Sequence, residues 1–392
     1  MQEETLLQIL HIISSLNPNT GGTAEAVRIL LEYAPPEIVS EVVTLDDPEA
    51  SFLKGFTHKV SALGPVSSTF GYTKKLRLWL EANRHRFDGA VIHGLWQYPG
   101  YAGWRALRGR KPYVVFPHGM LDPYFKRAFP MKHLKKWLYW ATAEYWVLRG
   151  ADRVLFTTES EQRLARRSFW MHRWNGQVVP FGTVPPDGDP DRQREAFYAA
   201  CPQARRRRLL LFLGRIHPKK GCDMLVDGFV AAAKIDTELD LVMAGPDPQG
   251  WRGQLEQRAW AAGLSGRVHW PGMLLGEAKW GAFHAAEAFI LPSHQENFGI
   301  AVAEALACGT PVLLSDKVNT AAEIVGDGAG LVDSDTREGT LRLIESWLRM
   351  SAAGRSAMRG RALECFERRY DMRHGAQAVV RLFEELKGSH SR

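Results

Sequence analysis

The sequence is poor in cysteine. It has four in 392 residues, at positions 201, 222, 308 and 365, and no two form a CxxC pair. That spacing argues against a disulfide-stapled scaffold and a thiolate zinc site, and it suits a reducing compartment. Long apolar runs are also lacking, and none approaches the ~18–20 residues that a membrane-spanning helix needs. The opening Met1-Gln2-Glu3-Glu4 is acidic where a signal peptide would be basic, and the apolar stretch Leu6–Ile13 runs straight into a turn. The expectation is a cytoplasmic protein. No HExxH, GxSxG, Walker loop, GxGxxG or clustered metal ligands occur. A hydrophobic fraction of 45% with 24% charged residues excludes a disordered or collagen-like chain. The length suggests two or three domains with cores of their own.

What is present is an uneven charge. The formal surplus is +7, but residues 1–53 carry 1 basic and 9 acidic side chains, 54–173 carry 22 and 7, and 174–392 carry 27 of each. The positive field therefore sits in the middle of the first half. A nucleic-acid binder or a peripheral membrane enzyme would both look like this.

Two stretches share one layout of apolar strand, glycine-bearing turn and helix. The first is Leu6–Ser14, then Asn17-Pro-Asn-Thr-Gly21-Gly22, then a helix over about 23–33. The second is Leu209–Leu213, then Gly214-Arg215-Ile-His-Pro-Lys-Lys220-Gly221, then a helix over about 222–233. Unbroken apolar runs read as strands buried on both faces of a parallel sheet. Further strands alternate with helices at 89–93, 113–116, 153–157 and 177–179, then at 240–244, 267–270, 288–291 and 311–314. The fold class expected is α/β, with two Rossmann-like domains whose parallel sheets face each other across a cleft. The expected boundaries are 1–183, a Pro- and Asp-rich linker at 184–207, 208–370, and a final helix at 371–392.

The richest segment is Phe289–Val312, FILPSHQENFGIAVAEALACGTPV. A strand ends at Leu291, and a helix starts near Phe298–Ile300 and stops at Cys308-Gly309. Glu296 stands before the helix, where its first-turn N–H groups are free, and Glu304 lies about two turns further on. Each carboxylate could simply be an ordinary helix residue. Glu304, however, is flanked by Val302, Ala303, Ala305 and Leu306, and on so apolar a helix it wants a polar partner. Arg215 and Lys220, after a strand and beside a helix N-terminus, could receive a phosphate or could be plain surface cations. Gly21-Gly22 would let backbone approach a ligand closely, or simply make a turn. His118-Gly119 follows a strand, where a histidine could meet substrate or bond to nearby backbone.

Together these residues resemble the retaining glycosyltransferases of family 4, which have the GT-B fold. The resemblance rests on Gly214–Gly221, on the E-x7-E element Glu296–Glu304, on AEIVGDGAGLV at 322–332, and more loosely on Gly21-Gly22 and His118-Gly119. It implies a nucleotide-sugar donor held mainly by the second domain. Arg215 and Lys220 would stabilise the leaving diphosphate and Glu304 would accept from the ribose. Glu296, with the backbone of Asn297, Phe298, Gly299 and Ile300, would hold the sugar. Gly21 and Gly22 would lie near phosphates and acceptor, with His118 by the sugar. Domain closure would complete the site, the final helix would cross back to the first domain, and no metal or other cofactor would be needed. The acceptor implied is a glycan or a lipid-linked glycan, and the setting bacterial polysaccharide synthesis. A sugar-nucleotide epimerase or a phosphorylase of the same fold remains open. One departure stands out: Ser315-Asp316-Lys317-Val318-Asn319 replaces the glycine pair common after the strand at 311. The donor base is expected to be read near 245–247 and 269–275, with nothing there to choose among UDP, GDP and ADP.

The segment 126–149, KRAFPMKHLKKWLYWATAEYWVLR, sets five basic side chains ahead of Trp137, Tyr139, Trp140, Tyr145 and Trp146. Cations beside Trp and Tyr suit an anionic membrane surface on the inner face of the plasma membrane. The same residues would equally suit a buried helix with a solvated basic start. A nucleic-acid partner is not expected, since no recognition module accompanies the patch.

Overall fold

The computed structural model describes residues 6–20, 22–128 and 130–390. The chain divides into two compact units, Met1–Phe181 with Met372–Arg392, and Gly182–Asp371.

The first unit holds a parallel sheet of seven strands: β1 Leu7–Ile12, β2 Ile38–Thr44, β3 Lys59–Ala62, β4 Gly89–His93, β5 Tyr113–Phe116, β6 Arg153–Phe156 and β7 Gly176–Val178. Their order is β3-β2-β1-β4-β5-β6-β7. The strand order reverses between β1 and β4, where open α/β sheets leave a crevice at the carboxyl edge. β2 and β3 are not evident as strands in the sequence. Ser40-Glu41 interrupts the apolar run of β2, and β3 is a four-residue, partly exposed edge. Glu41 is buried, and it is compensated by Arg86 and by Lys59 at 3.3 Å.

The core includes Ile12, Ile92, Val115, Phe156 and Trp140. The helix Met372–His390 packs here. The Phe383 ring lies where a Cβ on Gly89 would fall, at 2.4 Å, and Lys387 pairs with Asp88 at 3.0 Å.

Residues 126–149 correct the aromatic part of the membrane expectation. They form helices Tyr124–Ala128, Pro130–Tyr139 and Tyr145–Arg149, with a π turn at Trp140–Glu144. Trp140 is buried and stacks on Phe169 at 4.6 Å, and Trp137, Tyr139 and Tyr145 are partly covered, while Trp146 remains exposed. The side chains that stand out are aliphatic: Met131, Leu134 and Leu138 are 72%, 65% and 74% exposed. Their spacing of three and four puts them on one helix face. Among the described residues, no helix is long and apolar enough to cross a membrane.

The second unit holds six parallel strands: β8 Arg208–Leu213, β9 Leu239–Ala244, β10 Val268–Gly272, β11 Ala288–Leu291, β12 Val312–Ser315 and β13 Gly330–Asp333. Their order is β10-β9-β8-β11-β12-β13, with the reversal between β8 and β11. The stretch 184–207, read as a linker, is instead part of this unit. Pro190–Ala200 is a helix, capped by Asp189, whose carboxylate accepts from Asp191 N–H at 3.1 Å. The prolines and aspartates that suggest a linker are here a helix start. A Cβ on Gly281 of the neighbouring helix Gly276–Ala285 would fall 1.8 Å from Gln193 O, so that glycine allows the two helices to touch. The tail is two helices, Ala352–Arg369 and Met372–His390, and the division into units falls between them at Asp371.

Candidate functional site

In the second unit the loops after β8 and β11 leave the sheet on either side of its reversal. The β8 loop runs Gly214–Gly221, and two glycines fit it into place. A Cβ on Gly245 would lie 1.9 Å from Gly214 O, and one on Gly221 would lie 2.2 Å from Pro292 O. Both have positive φ, so a side chain is excluded by space and by backbone conformation. The β11 loop ends at Gly299, also at positive φ, which caps the helix Ile300–Ala307.

This geometry brings Lys220 Nζ onto Glu296 Oε2. Burial would raise the Glu296 carboxyl, but Lys220, Lys219 and the Asn297 N–H hold it below its ordinary value. Glu296 is therefore an anion at neutral pH, and its partner is a cation. Arg215 stands exposed on the same loop with no ion pair among the described residues. Burial and the cations Arg215, Lys219 and Lys220 all depress His217, leaving it neutral. Glu304 is buried, and its Oε1 accepts from Lys279 Nζ at 2.7 Å. Phe298 is buried, with its ring centroid 5.7 Å from that of Tyr370.

In the first unit, Gly22 opens the helix Gly22–Glu32, and a Cβ there would meet nothing within 4 Å. Gly21 lies outside the described residues. His118 follows β5 with φ 50, a left-handed conformation uncommon for a residue with a side chain, and Gly119 follows at φ 76. The turn is clamped by buried Glu161, which accepts from Gly119 N–H at 2.7 Å and from Thr157 N–H and Oγ1, each at 2.8 Å. Burial pushes His118 down to about 3, so it is neutral at physiological pH. A cavity of about 440 Å³ lies at the β1/β4 reversal, lined by Ser14, Ser15, Thr20, Thr23, Asp46 and His93 among others.

Residues 194–362 match the family described as glycosyl transferases group 1, and residues 20–182 match the glycosyl transferase 4-like domain. The chain belongs to the family 4 glycosyltransferases. A D-inositol 3-phosphate glycosyltransferase of Mycobacterium sp. (strain KMS) is 32% identical over 232 residues, covering 57% of this chain and 50% of the relative. The chain spans about half the length of the curated relatives it matches. Anabaena HepE, solved in complex with UDP and glucose, superposes with a TM-score of 0.76 at 17% identity, covering 96% of this chain and 99% of that one. WaaG, a glycosyltransferase involved in lipopolysaccharide biosynthesis, superposes with a TM-score of 0.68 at 18% identity, covering 96% of this chain and 99% of that one. At such identities the likeness shows the GT-B fold.

One residue beside the candidate site of this family 4 chain is absent from the sequence reading. Lys279 reaches Glu304 from a helix 25 positions away, and no local pattern points to it. The loop in place of the glycine pair is hydrogen-bonded to the β11 loop: Glu296 N–H donates to Lys317 O at 3.1 Å, and Asn319 Nδ2 donates to Asn297 Oδ1 at 3.2 Å. His269, expected near the donor base, is instead buried and pairs with Asp240 at 2.8 Å.

Proposed function

We propose that this glycosyltransferase moves a sugar from a nucleoside-diphosphate sugar to a glycan or lipid-linked acceptor, with retention at the anomeric carbon and without a metal ion. The observation that carries the reading is the turn at the β8/β11 reversal, where Lys220 is paired to Glu296 and Arg215 is unpaired among the described residues. Two cations at the carboxyl edge of a parallel sheet suit a diphosphate, and they would stabilise the charge that grows on it as it leaves. Glu296 and the N–H groups leading into the helix Ile300–Ala307 would hold sugar hydroxyls. Glu304, with Oε1 on Lys279, would offer Oε2 to the ribose. On the first unit, His118 and the Gly21-Gly22 turn are assigned to substrate. In the proposed step the bond from the anomeric carbon to the diphosphate breaks and a bond to the acceptor oxygen forms on the same face. The acceptor's proton passes to the leaving phosphate oxygen.

HepE's complex with UDP and glucose supports a nucleotide sugar as donor. WaaG's role in lipopolysaccharide synthesis supports a bacterial surface polysaccharide as the setting. A thermal-shift panel of UDP, GDP and ADP tests the donor site, because a ligand that binds only the native state raises its stability. One nucleotide should raise the melting temperature, in the presence of EDTA as well; no shift with any of them overturns the reading. Labelled nucleotide sugars incubated without acceptor should stay intact, whereas an epimerised sugar or a released sugar phosphate would replace transfer by one of the alternative activities.

The peripheral membrane reading rests on the exposed Met131, Leu134 and Leu138 beside exposed Lys132 and Lys135. An apolar stripe flanked by cations suits anionic lipid. Phosphatidylcholine vesicles with phosphatidylglycerol should sediment the protein at low salt, and vesicles without it should not. No binding to either removes the membrane as a partner.

A further inference from the structure

Three histidines form a file through the first unit. His11, at β1, places Nδ1 3.0 Å from His93 Nε2, at the end of β4. His93 Nδ1 in turn lies 3.0 Å from His118 Nε2, after β5. The rings are nearly parallel, with centroids 5.2 and 5.3 Å apart, and Phe116 stacks on His118 at 4.6 Å. The inner end is Ser40 on β2, buried, whose Oγ is 3.5 Å from His11 Nε2, a long contact. At the outer end His118 Nδ1 has no protein partner among the described residues. Adjacent strands β2, β1 and β4 thus hand one hydrogen-bonded chain to the β5 turn.

Burial keeps all three rings neutral; His58 adds to this at His11, and the rings act on one another. A neutral imidazole carries one ring proton, and each N···N contact needs one. Only two arrangements meet both conditions. Either every ring is protonated on Nδ1 or every ring is protonated on Nε2. In the first, the Ser40 hydroxyl donates to His11 Nε2, His11 donates to His93, His93 donates to His118, and His118 Nδ1–H faces outward. In the second, all of these reverse, and the buried Ser40 proton has no acceptor among the described residues. A buried donor without an acceptor is disfavoured, which selects the first.

We propose that Ser40, His11 and His93 are positioning residues that fix His118 as its Nδ1–H tautomer, so that it donates a hydrogen bond to a substrate oxygen and does not serve as a base. His93 also lines the cavity at the β1/β4 reversal, but both of its nitrogens are used within the file. His118 is therefore the end of the file that offers a polar atom to a ligand. The tautomer assignment stands on the file alone, and only its use toward substrate rests on the proposed transfer activity.

The test is long-range proton–nitrogen correlation on the full chain labelled with nitrogen-15 histidine. Signals are assigned from single variants, and circular dichroism melts confirm that each variant folds. In the unsubstituted protein, His11, His93 and His118 should all show the Nδ1–H signature and stay neutral between pH 5 and 8. His93→Phe should free His118 to adopt the other tautomer, while burial still keeps the ring neutral. His93→Gln, whose amide can still accept from His11 and donate to His118, should restore the Nδ1–H form. Ser40→Ala should shift all three rings together toward a mixture. An Nε2–H signature for His118 in the unsubstituted protein, or a His118 signal unmoved by His93→Phe, overturns the proposal. These spectra need no substrate, so their failure leaves the transfer reading intact, and inactivity toward every donor leaves the tautomers intact.

Discussion

Two sets of buried groups, one in each unit, differ in what sets their charge. In the first, burial wins: His11 and His118 are pushed down to about 3, His93 is lowered well below its ordinary value, and Glu144 is pushed up to about 8. Each is neutral near physiological pH or close to it. In the second, partners win. Burial would raise Glu296, Asp240 and Glu287, yet Lys220, His269 with Arg207, and Arg208 hold them below their ordinary values. His11, His93, His118 and Glu144 are therefore neutral, whereas Glu296, Asp240 and Glu287 are anions beside cations.

The comparison is broken most directly at the fixed charges. Arg215→Ala with Lys220→Ala should cut turnover by roughly 10²–10³-fold, as the loss of a preorganised electrostatic contact does elsewhere. The Lys220 change also leaves Glu296 with one fewer partner, so part of its effect should be a weaker fold of the loop. Steady-state kinetics on the donor found in the nucleotide panel measure the first effect, and melting temperature measures the second. Turnover unchanged in the double variant would remove both cations from the site.

How much of this was legible follows from which interactions are local. The alternation of apolar runs with helical stretches marks β1, β4, β5, β6, β8, β9, β11 and β12, and β7 and β10 as well, because a strand buried in a parallel sheet leaves an apolar signature. β2 hides behind a buried Glu41 that only its distant partners explain, and β3 and β13 are partly exposed along their length. Lys220 and Glu296 can be singled out by their places beside strand ends, although 76 positions separate them. Lys279 has no such marker, and its role appears only when two helices are seen together. The histidine file is the clearest case. His11 and His93 read as strand residues, and nothing short of the strand order tells that β1 and β4 are neighbours.

Acid should separate the units. A histidine whose folded pKa is depressed contributes stability that is present above its ordinary 6.5 and is lost as pH falls below it. A depressed carboxylate contributes stability that is present above about 4 and is lost only below that. Hydrogen exchange followed from pH 7 to pH 4 should therefore show the amides of β1, β4 and β5 losing protection first, with those of β8, β11 and β12 holding. Simultaneous loss in both units would mean that the buried histidines carry no special cost.

The smallest effect expected is also the one with the opposite sign. Glu144 sits in the π turn, where its Oε2 accepts from Trp96 N–H at 2.9 Å and its buried Oε1 has no hydrogen-bond partner. Burial raises it, partly offset by that N–H and by Lys136. An acid whose folded pKa lies above its unfolded value binds a proton more tightly when native. Stability is then undiminished below about 4.5 and falls as pH rises toward 8, where the native state must ionise a buried group. Glu144→Gln keeps the shape and the acceptor for Trp96 N–H but cannot ionise. The variant should lie nearest the parent near pH 5 and exceed it increasingly toward pH 8, read as melting temperature against pH. A parallel pair of curves would mean that Glu144 is solvated in the native state, and the first unit would then lose its one carboxylate held neutral by burial.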